Sequence, residues 1–475
     1  TMAAWDSIPQ NQRAFQTRLM EIFASYVEHT DHQVGRLVQG LEERGLRENT
    51  LIFYIFGDNG SSSEGQRGSV SELLAQNNIP NTVEQQLKAL ERIGGIDVLG
   101  SAKTDNMYHA GWAWAGGTPF KGTKLMGSYF GGTRNPMVIS WPRRIKPDRT
   151  VRAQFHHVID IAPTIYELLD IPHPKVVQGE DQVPMDGTSL VYTFDEGNAA
   201  GRKDQQFFDN NASRGIYHEG WFAGTAGPFI PWDTPGSVKR MENWDSAADP
   251  WELYDLRRDF SQAKDLAQVQ PEKLKEMKQR FLTLAEDNKG FPIGTGLWLR
   301  LHPEDRLKTP YTHWTFRQNT RRMPEFTAPG VGRVSTQVDI DVDIGEKASG
   351  VLYAVGGASG GLTLYMDKGY LVYEYNMMIL EQYIAKSRIP IAAGKHRIEV
   401  RTDIPRPGGA GQVRIKVDGK DTAGTALKQT VPGAFTATET FDVGIDLGSP
   451  VAASYDKRRP FAFDGKILAL EVELK

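Results

Sequence analysis

The chain has 475 residues, of which 39% are hydrophobic and 24% charged, so it is long enough for several packed domains. Its 55 basic and 59 acidic side chains leave a net charge of -4, which gives no electrostatic reason to expect nucleic acid or an anionic membrane as a partner. The absence of cysteine excludes disulfides, thiolate metal ligands and a cysteine nucleophile within these residues.

The first predicted element is one long amphipathic helix. Apolar side chains recur mostly at spacings of three and four, while Glu, Arg and Gln fill the other face. The recurring residues are Phe15, Leu19, Ile22, Tyr26, Val34, Leu37, Val38 and Leu41. Gly45 follows the pattern and is placed to end the helix.

Two apolar runs after this helix predict strands. Thr50–Phe56 is continuously apolar after its first residue, which is typical of a strand buried on both faces of a parallel sheet, and Asn135–Trp141 is a second candidate. A helical pattern returns over Val158–Leu169, with Asp160 as a candidate N-cap. The alternation of helices and strands predicts an α/β, doubly wound sheet.

The first strand runs directly into Gly-Asp-Asn-Gly. In α/β sheets ligands gather at the carboxyl ends of strands, which is where Asp58 and Asn59 fall. A carboxylate beside an amide oxygen offers two hard ligands suited to Ca²⁺ or Mg²⁺. The competing interpretation is a simple Asx-turn in which Asn59 and Gly60 reverse the chain.

An insertion-like stretch, residues 61–108, follows this turn. It opens with the polar run SSSEGQRG and continues with a helical pattern through Val83, Leu87 and Leu90. A short helix framed by glycines predicts either a lid over a site or a surface addition.

The last part of the chain changes to period-two alternation. Segments such as VSTQVDIDVDI, LTLYMD, HRIEVRTD and ILALEVEL alternate apolar with polar residues and are separated by Gly, Pro and Asp turns. We predict an antiparallel β-sandwich or jelly roll over residues 310–475. Because no cluster of exposed aromatics or acidic loop is evident, we expect a structural or dimer-forming role rather than carbohydrate binding, with a second copy of the chain as candidate partner.

Several motifs in one order resemble the sulfatase family, of the large arylsulfatase type. These are FYIFGDNGSSSEG, TPFKGTKLMGSYFGGTRNPMVISWP, DIAPT, DGTSL and WELYDL. The resemblance covers residues 1–290. It implies an α/β alkaline-phosphatase-like fold over residues 1–300, with a C-terminal subdomain at about 200–290.

The resemblance also implies a chemistry. Family members hydrolyse sulfate esters with one divalent cation, usually Ca²⁺, and a formylglycine nucleophile. Asp58 and Asn59 match the family's late metal ligands, and Lys124 matches the lysine that contacts the sulfate oxygens. Lys121 is the rival for that role, because its spacing to the following Gly-Gly varies within the family. Alternatives are a phosphate or phosphonate monoester hydrolase of the same superfamily, or a non-catalytic sulfatase-like binding protein.

The chain departs from the family at the nucleophile. It has neither a cysteine nor the paired aspartates that supply the early metal ligands. Ser140-Trp141-Pro142-Arg143-Arg144 matches the nucleophile motif by letters, but Ser140 ends a predicted strand and Pro147 forbids the helix that the motif should open. We therefore expect the nucleophile in a missing N-terminal segment. That fragment is a candidate partner, and this chain alone is expected to be inactive.

Overall fold

The computed structural model describes all residues except 1, 3, 58, 295, 298 and 300–309. The described helices are α1 Gln10–Glu43, α2 Leu73–Gln76, α3 Val83–Glu91, α4 Ala110–Gly116, α5 Phe130–Thr133, α6 Ile161–Leu169, α7 Thr234–Met241 and α8 Pro271–Asp287. In this part of the chain no helix is long and apolar enough to cross a membrane.

The described strands are β1 Ile52–Ile55, β2 Met137–Ser140, β3 Val176–Val177, β4 Glu180–Asp181, β5 Gln205–Asn210, β6 Ser213–His218, β7 Trp221–Thr225, β8 Glu252–Asp255, β9 His313–Phe316, β10 Met323–Pro324, β11 Thr336–Ile344, β12 Gly350–Gly357, β13 Gly360–Asp367, β14 Tyr370–Met377, β15 Glu381–Lys386, β16 Gly394–Asp403, β17 Gly411–Val417, β18 Lys420–Leu427, β19 Thr440–Val443 and β20 Lys466–Leu474.

The chain divides into two compact units. Unit 1 comprises Thr1–Ser25, Ser63–Trp112 and Arg306–Lys475, and unit 2 comprises Tyr26–Ser62 and Ala113–Asp305. This division differs from the boundary near residue 300 that the sequence predicted, because two early segments group with the C-terminal strands.

Unit 1 contains two six-stranded antiparallel sheets. Their strand orders are β10-β19-β12-β13-β14-β15 and β18-β17-β16-β11-β20-β9. Side chains of both sheets share one hydrophobic core, including Ile340, Leu364, Tyr375 and Ile398. Every second residue of β11 is buried, as the period-two pattern requires. The predicted antiparallel β-sandwich is therefore confirmed, while its assignment as a jelly roll stays a prediction.

Residues 63–112 pack on this sandwich. Val83 and Leu90 of α3 belong to its core, and the Arg92 guanidinium donates hydrogen bonds to the carbonyls of Ile379 and Leu380. Asn77 donates to the Ala434 carbonyl as well. The stretch that the sequence indicated as a lid or a surface addition is thus part of the unit 1 core.

Unit 2 begins with the second half of α1. The predicted helix is confirmed at Gln10–Glu43, and Gly45 adopts φ +66 after its end. Its second half is poorly covered: the side chains of Tyr26 and Leu37 are 69% and 70% exposed. The apolar spacing therefore predicted the helix correctly but not the burial of its face.

The strands β1 and β2 form a two-stranded sheet in unit 2. They pair antiparallel, with Ile52 opposite Ser140 and Ile55 opposite Met137. No residue of either strand is fully buried, and Val138 is 61% exposed. The predicted parallel pairing and two-sided burial are wrong for these strands, because a continuous apolar run indicates a need for burial without specifying a partner or its direction.

The remainder of unit 2 carries a four-stranded antiparallel sheet of order β5-β6-β7-β8. Helix α8 covers one face, where Met277 and Phe281 pack against Ile216 and Leu253. This sheet places the start of β6 beside the loop before α5, since the Ser128 amide donates to the Ser213 hydroxyl.

Candidate active site

Two loops of unit 2 lie against each other through backbone contacts. The turn after β1 ends at Gly60, where an added Cβ would lie 2.2 Å from the Gly131 carbonyl oxygen. The Lys124 amide donates to the Ser61 carbonyl at 3.0 Å, and the Gly131 amide donates to the Lys121 carbonyl at 2.8 Å. Glycine is needed at these positions because the two backbones approach more closely than a side chain allows.

The close approach at Gly132 can be tested directly. A Cβ there would lie 2.5 Å from the carbonyl oxygens of both Thr123 and Met126, which are backbone atoms that must move. We expect Gly132→Ala to lower the free energy of unfolding by about 1–3 kcal/mol, measured by urea denaturation. Gly35→Ala is the control: nothing lies within 4 Å of its Cβ, and in helix α1 it should be stabilising. Equal effects of the two substitutions would contradict this account.

A cavity of about 140 Å³ lies between these loops and the end of β5. Its polar lining consists of Asn59, Lys124, Thr133, Asp209 and Asn210. The structure therefore brings together two of the residues that the sequence indicated, Asn59 and Lys124. Asp58 lies outside the described residues.

Lys121, the rival of Lys124, is engaged elsewhere in unit 2. Its ammonium donates to the Tyr254 hydroxyl at 2.6 Å and lies 3.5 Å from the Glu252 carboxylate. Tyr254 in turn donates a hydrogen bond to Glu252. Burial raises the pKa of the Tyr254 phenol, and the Glu252 carboxylate raises it further, so the phenol remains protonated. Lys121 is not among the residues that line the cavity, whereas Lys124 is.

Asp209 and Asn210 were not indicated by the sequence analysis. They end β5, and burial raises the pKa of Asp209, an effect that the nearby Arg214 partly offsets. A signal was present, since Phe207-Phe208-Asp209-Asn210 repeats the pattern of an apolar strand running into Asp-Asn. The tertiary fold was required to place this second pair beside the first.

Ser140 does not have the surroundings of a nucleophile. It is the last residue of β2, and its hydroxyl accepts a hydrogen bond from the Arg47 guanidinium. A general base within reach would be needed to activate it, and no hydrogen bond from Ser140 to His, Asp or Glu occurs among the described residues.

A buried ionic cluster anchors the start of α6. The Asp160 carboxylate is fully buried and accepts hydrogen bonds from the Lys203 ammonium, His156 and the Thr188 amide, each at 2.8–2.9 Å. Burial opposes its charge, but these hydrogen bonds outweigh that effect and lower the pKa of Asp160 to about 2. Asp160 precedes α6 as predicted, but its side chain does not cap α6; it accepts instead from the His157 amide, capping the short 3-10 turn just before the helix.

The described residues do not by themselves fit a divalent cation. They contain no group of three or more His, Cys, Asp or Glu side chains arranged to hold a metal ion. Asn59, Asp209 and Asn210 supply oxygen atoms to the cavity, but only one of these side chains is a carboxylate, and a Ca²⁺ ion takes about six to eight oxygen ligands. The described residues alone therefore support no cation-dependent step.

Comparison with known proteins shows similarity to sulfatases over part of the chain. Residues 3–171 match the sulfatase family. An uncharacterised sulfatase of Schizosaccharomyces pombe is 30% identical over 280 residues, which is 59% of this chain and 45% of that protein. The arylsulfatase of Klebsiella aerogenes is 26% identical over 189 residues, covering 39% of this chain and 37% of the relative. The aligned region thus spans less than half the length of either relative.

Similarity to solved structures is weaker. A Bacteroides thetaiotaomicron protein described in connection with glycosaminoglycan metabolism is 20% identical, and the match covers 54% of this chain and 42% of that one with a TM-score of 0.35. That value is too low to define the fold. The family match and the sequence relatives, together with the ordered motifs, support the assignment of residues 3–171 to the sulfatase family.

Proposed function

We propose that the protein of which this chain forms part hydrolyses sulfate esters, and that the cavity lined by Asn59 and Lys124 is its sulfate-binding end. The convergence of these two side chains on one cavity is the observation that carries the proposal. They lie 65 positions apart in the sequence, and each was indicated independently by a sulfatase-like motif.

Lys124 has a defined task in this proposal. Its ammonium neutralises charge on the sulfuryl oxygens as the ester bond breaks. Asn59 contributes an amide that orients the group held there. Lys121, paired with Glu252, keeps the shape of the loop that carries Lys124.

The nucleophile and most metal ligands are proposed to reside in a segment that precedes these residues. The chain has no cysteine, and its one Ser-x-Pro-x-Arg string lies at the end of β2, where the hydroxyl is bound by Arg47. The incomplete burial of β1 and β2 fits the same proposal, since a further layer of chain would cover them. A formylglycine and a Ca²⁺ or Mg²⁺ ion belong to that segment in our proposal.

Hydrolysis of 4-nitrophenyl sulfate in the presence of Ca²⁺ tests whether the nucleophile lies outside these 475 residues. We expect no turnover by the 475-residue chain and turnover by a chain extended upstream to include a nucleophile motif. The phosphate analogue, 4-nitrophenyl phosphate, is the matched control and should be hydrolysed more slowly. Turnover by the 475-residue chain alone would contradict the assignment of the nucleophile, and failure of the extended chain on all sulfate esters would contradict the function.

A further inference from the structure

A second and larger cavity lies in unit 1, at the turn between β12 and β13. Its volume is about 290 Å³. Four separate segments form its wall: the loop before Asp105, the turn containing Ser359, residues 436–439 and Ser449. The first belongs to residues 63–112, and the other three belong to the β-sandwich.

The lining of this cavity is polar and acidic. Its side chains with oxygen atoms include Asp105, Ser359, Thr436, Thr438, Glu439 and Ser449. Ser359 and Thr436 are buried. The lining residues include no lysine, arginine, histidine or aromatic side chain. Such a surface repels sulfate, phosphate and carboxylate groups, and it offers hydrogen-bond acceptors to uncharged donors.

Both carboxylates are held in place by hydrogen bonds. Glu439 Oε1 accepts from the Ser449 amide at 3.0 Å and from the Ser449 hydroxyl at 2.7 Å. Asp105 Oδ1 accepts from the Glu72 amide at 3.0 Å. Neither carboxylate forms an ion pair with another described residue. Each carboxylate therefore has a fixed orientation and can accept further hydrogen bonds, and no cationic side chain among the described residues neutralises its charge.

Burial raises the pKa of Asp105. Hydrogen bonds from Ser359 and from the Glu72 amide lower this pKa but offset the effect of burial only in part. A ligand that donates hydrogen bonds to this carboxylate would stabilise its charged form. A metal ion fits less well, because no three acidic or histidine side chains converge in the described residues and a calcium site needs more anionic oxygen ligands than two.

We propose that this cavity binds one uncharged sugar residue. The lining combines two carboxylates, which accept hydrogen bonds, with serine and threonine hydroxyls, which both donate and accept. This combination suits the hydroxyl groups of a pyranose, each of which also both donates and accepts. An ammonium ligand would use only the acceptors. Pockets for small ligands begin at about 300 Å³, so the cavity suits a single ring rather than a longer chain.

Glycines keep the cavity open and its backbone accessible. Gly357 and Gly360 line it, and a Cβ at Gly357 would lie 2.4 Å from the Ser449 hydroxyl. A side chain there would displace the residue that orients Glu439. The inference revises our expectation that the sandwich has only a structural or dimer-forming role, and it does not depend on the proposed sulfatase activity.

Saturation-transfer NMR with a panel of neutral monosaccharides tests the site on the full 475-residue chain. The panel comprises glucose, galactose, mannose, fucose and N-acetylglucosamine. We expect at least one sugar to bind in the millimolar range. Asp105→Asn, which keeps the shape but removes the charge, and Thr438→Trp, which fills the cavity from an exposed position, should each weaken binding about tenfold or more.

Asp421→Asn, at an exposed carboxylate of β18, is the matched control and should leave binding unchanged. Thermal unfolding of each variant separates loss of binding from loss of fold. The inference is overturned if no sugar of the panel binds or if binding survives both cavity variants.

Discussion

Replacing Lys124 by alanine in the upstream-extended chain is expected to lower kcat/KM for 4-nitrophenyl sulfate about 100- to 1,000-fold. That is the usual cost of removing one charged or hydrogen-bonding group that stabilises developing charge in a transition state. The loss should appear mainly in kcat, because the ammonium acts most strongly when the sulfuryl oxygens carry the most charge. Steady-state kinetics at saturating Ca²⁺ measures both constants.

Lys121→Ala is the matched control for this prediction. It removes the same charge three residues away but breaks the ion pair with Glu252 and the hydrogen bond to Tyr254. We expect a small loss of stability, about 1 kcal/mol or less for a partly exposed pair, and much less effect on kcat. If Lys121→Ala abolished activity while Lys124→Ala did not, the two lysines would have to exchange roles.

Replacing Asp160 by asparagine is expected to destabilise unit 2 by about 3–5 kcal/mol. The substitution keeps the shape of the side chain but leaves the Lys203 ammonium buried without its counter-charge, and the cost of breaking a buried pair is of that size. Urea denaturation of the chain measures the change. Asp181→Asn, in the exposed hairpin of β3 and β4, should have almost no effect.

The double substitution Asp160→Asn, Lys203→Met separates charge from packing. If the penalty comes from the uncompensated ammonium, removing that ammonium should recover part of the lost stability. The stability lost in the single variant Lys203→Met is the reference. If the double variant loses the sum of the two single-variant losses, the two residues do not interact.

The pKa of Asp160 also predicts a pH dependence. The folded-state pKa of about 2 lies below the ordinary value of 3.8, so the carboxylate contributes stability that is fully present above about pH 4. That contribution is lost as the pH falls through the folded-state pKa. The stability difference between wild type and Asp160→Asn should therefore shrink between pH 4 and pH 2. A difference that stays constant over this range would contradict the charged state of Asp160.

The α1 helix and the β-sandwich were predictable because their signals are local. Spacings of three and four along Phe15, Leu19 and Ile22 require a helix, and strict alternation through β11 requires a strand with one covered face. The sulfatase-like motifs could be recognised for the same reason, because each is a short stretch of neighbouring residues.

Contacts between distant segments decided the rest. Local spacing carries no information on which strand β1 joins, and its antiparallel pairing with β2 depends on a partner about 85 residues away. For the same reason, the sequence did not predict that residues 63–112 pack on the sandwich. It also did not predict the cavity that Asp105 and Glu439 line together. Asn59 and Lys124 could be selected from their motifs, but their neighbours Asp209 and Asn210 become visible only when the chain folds, because burial and proximity are properties of the packed structure rather than of sequence order.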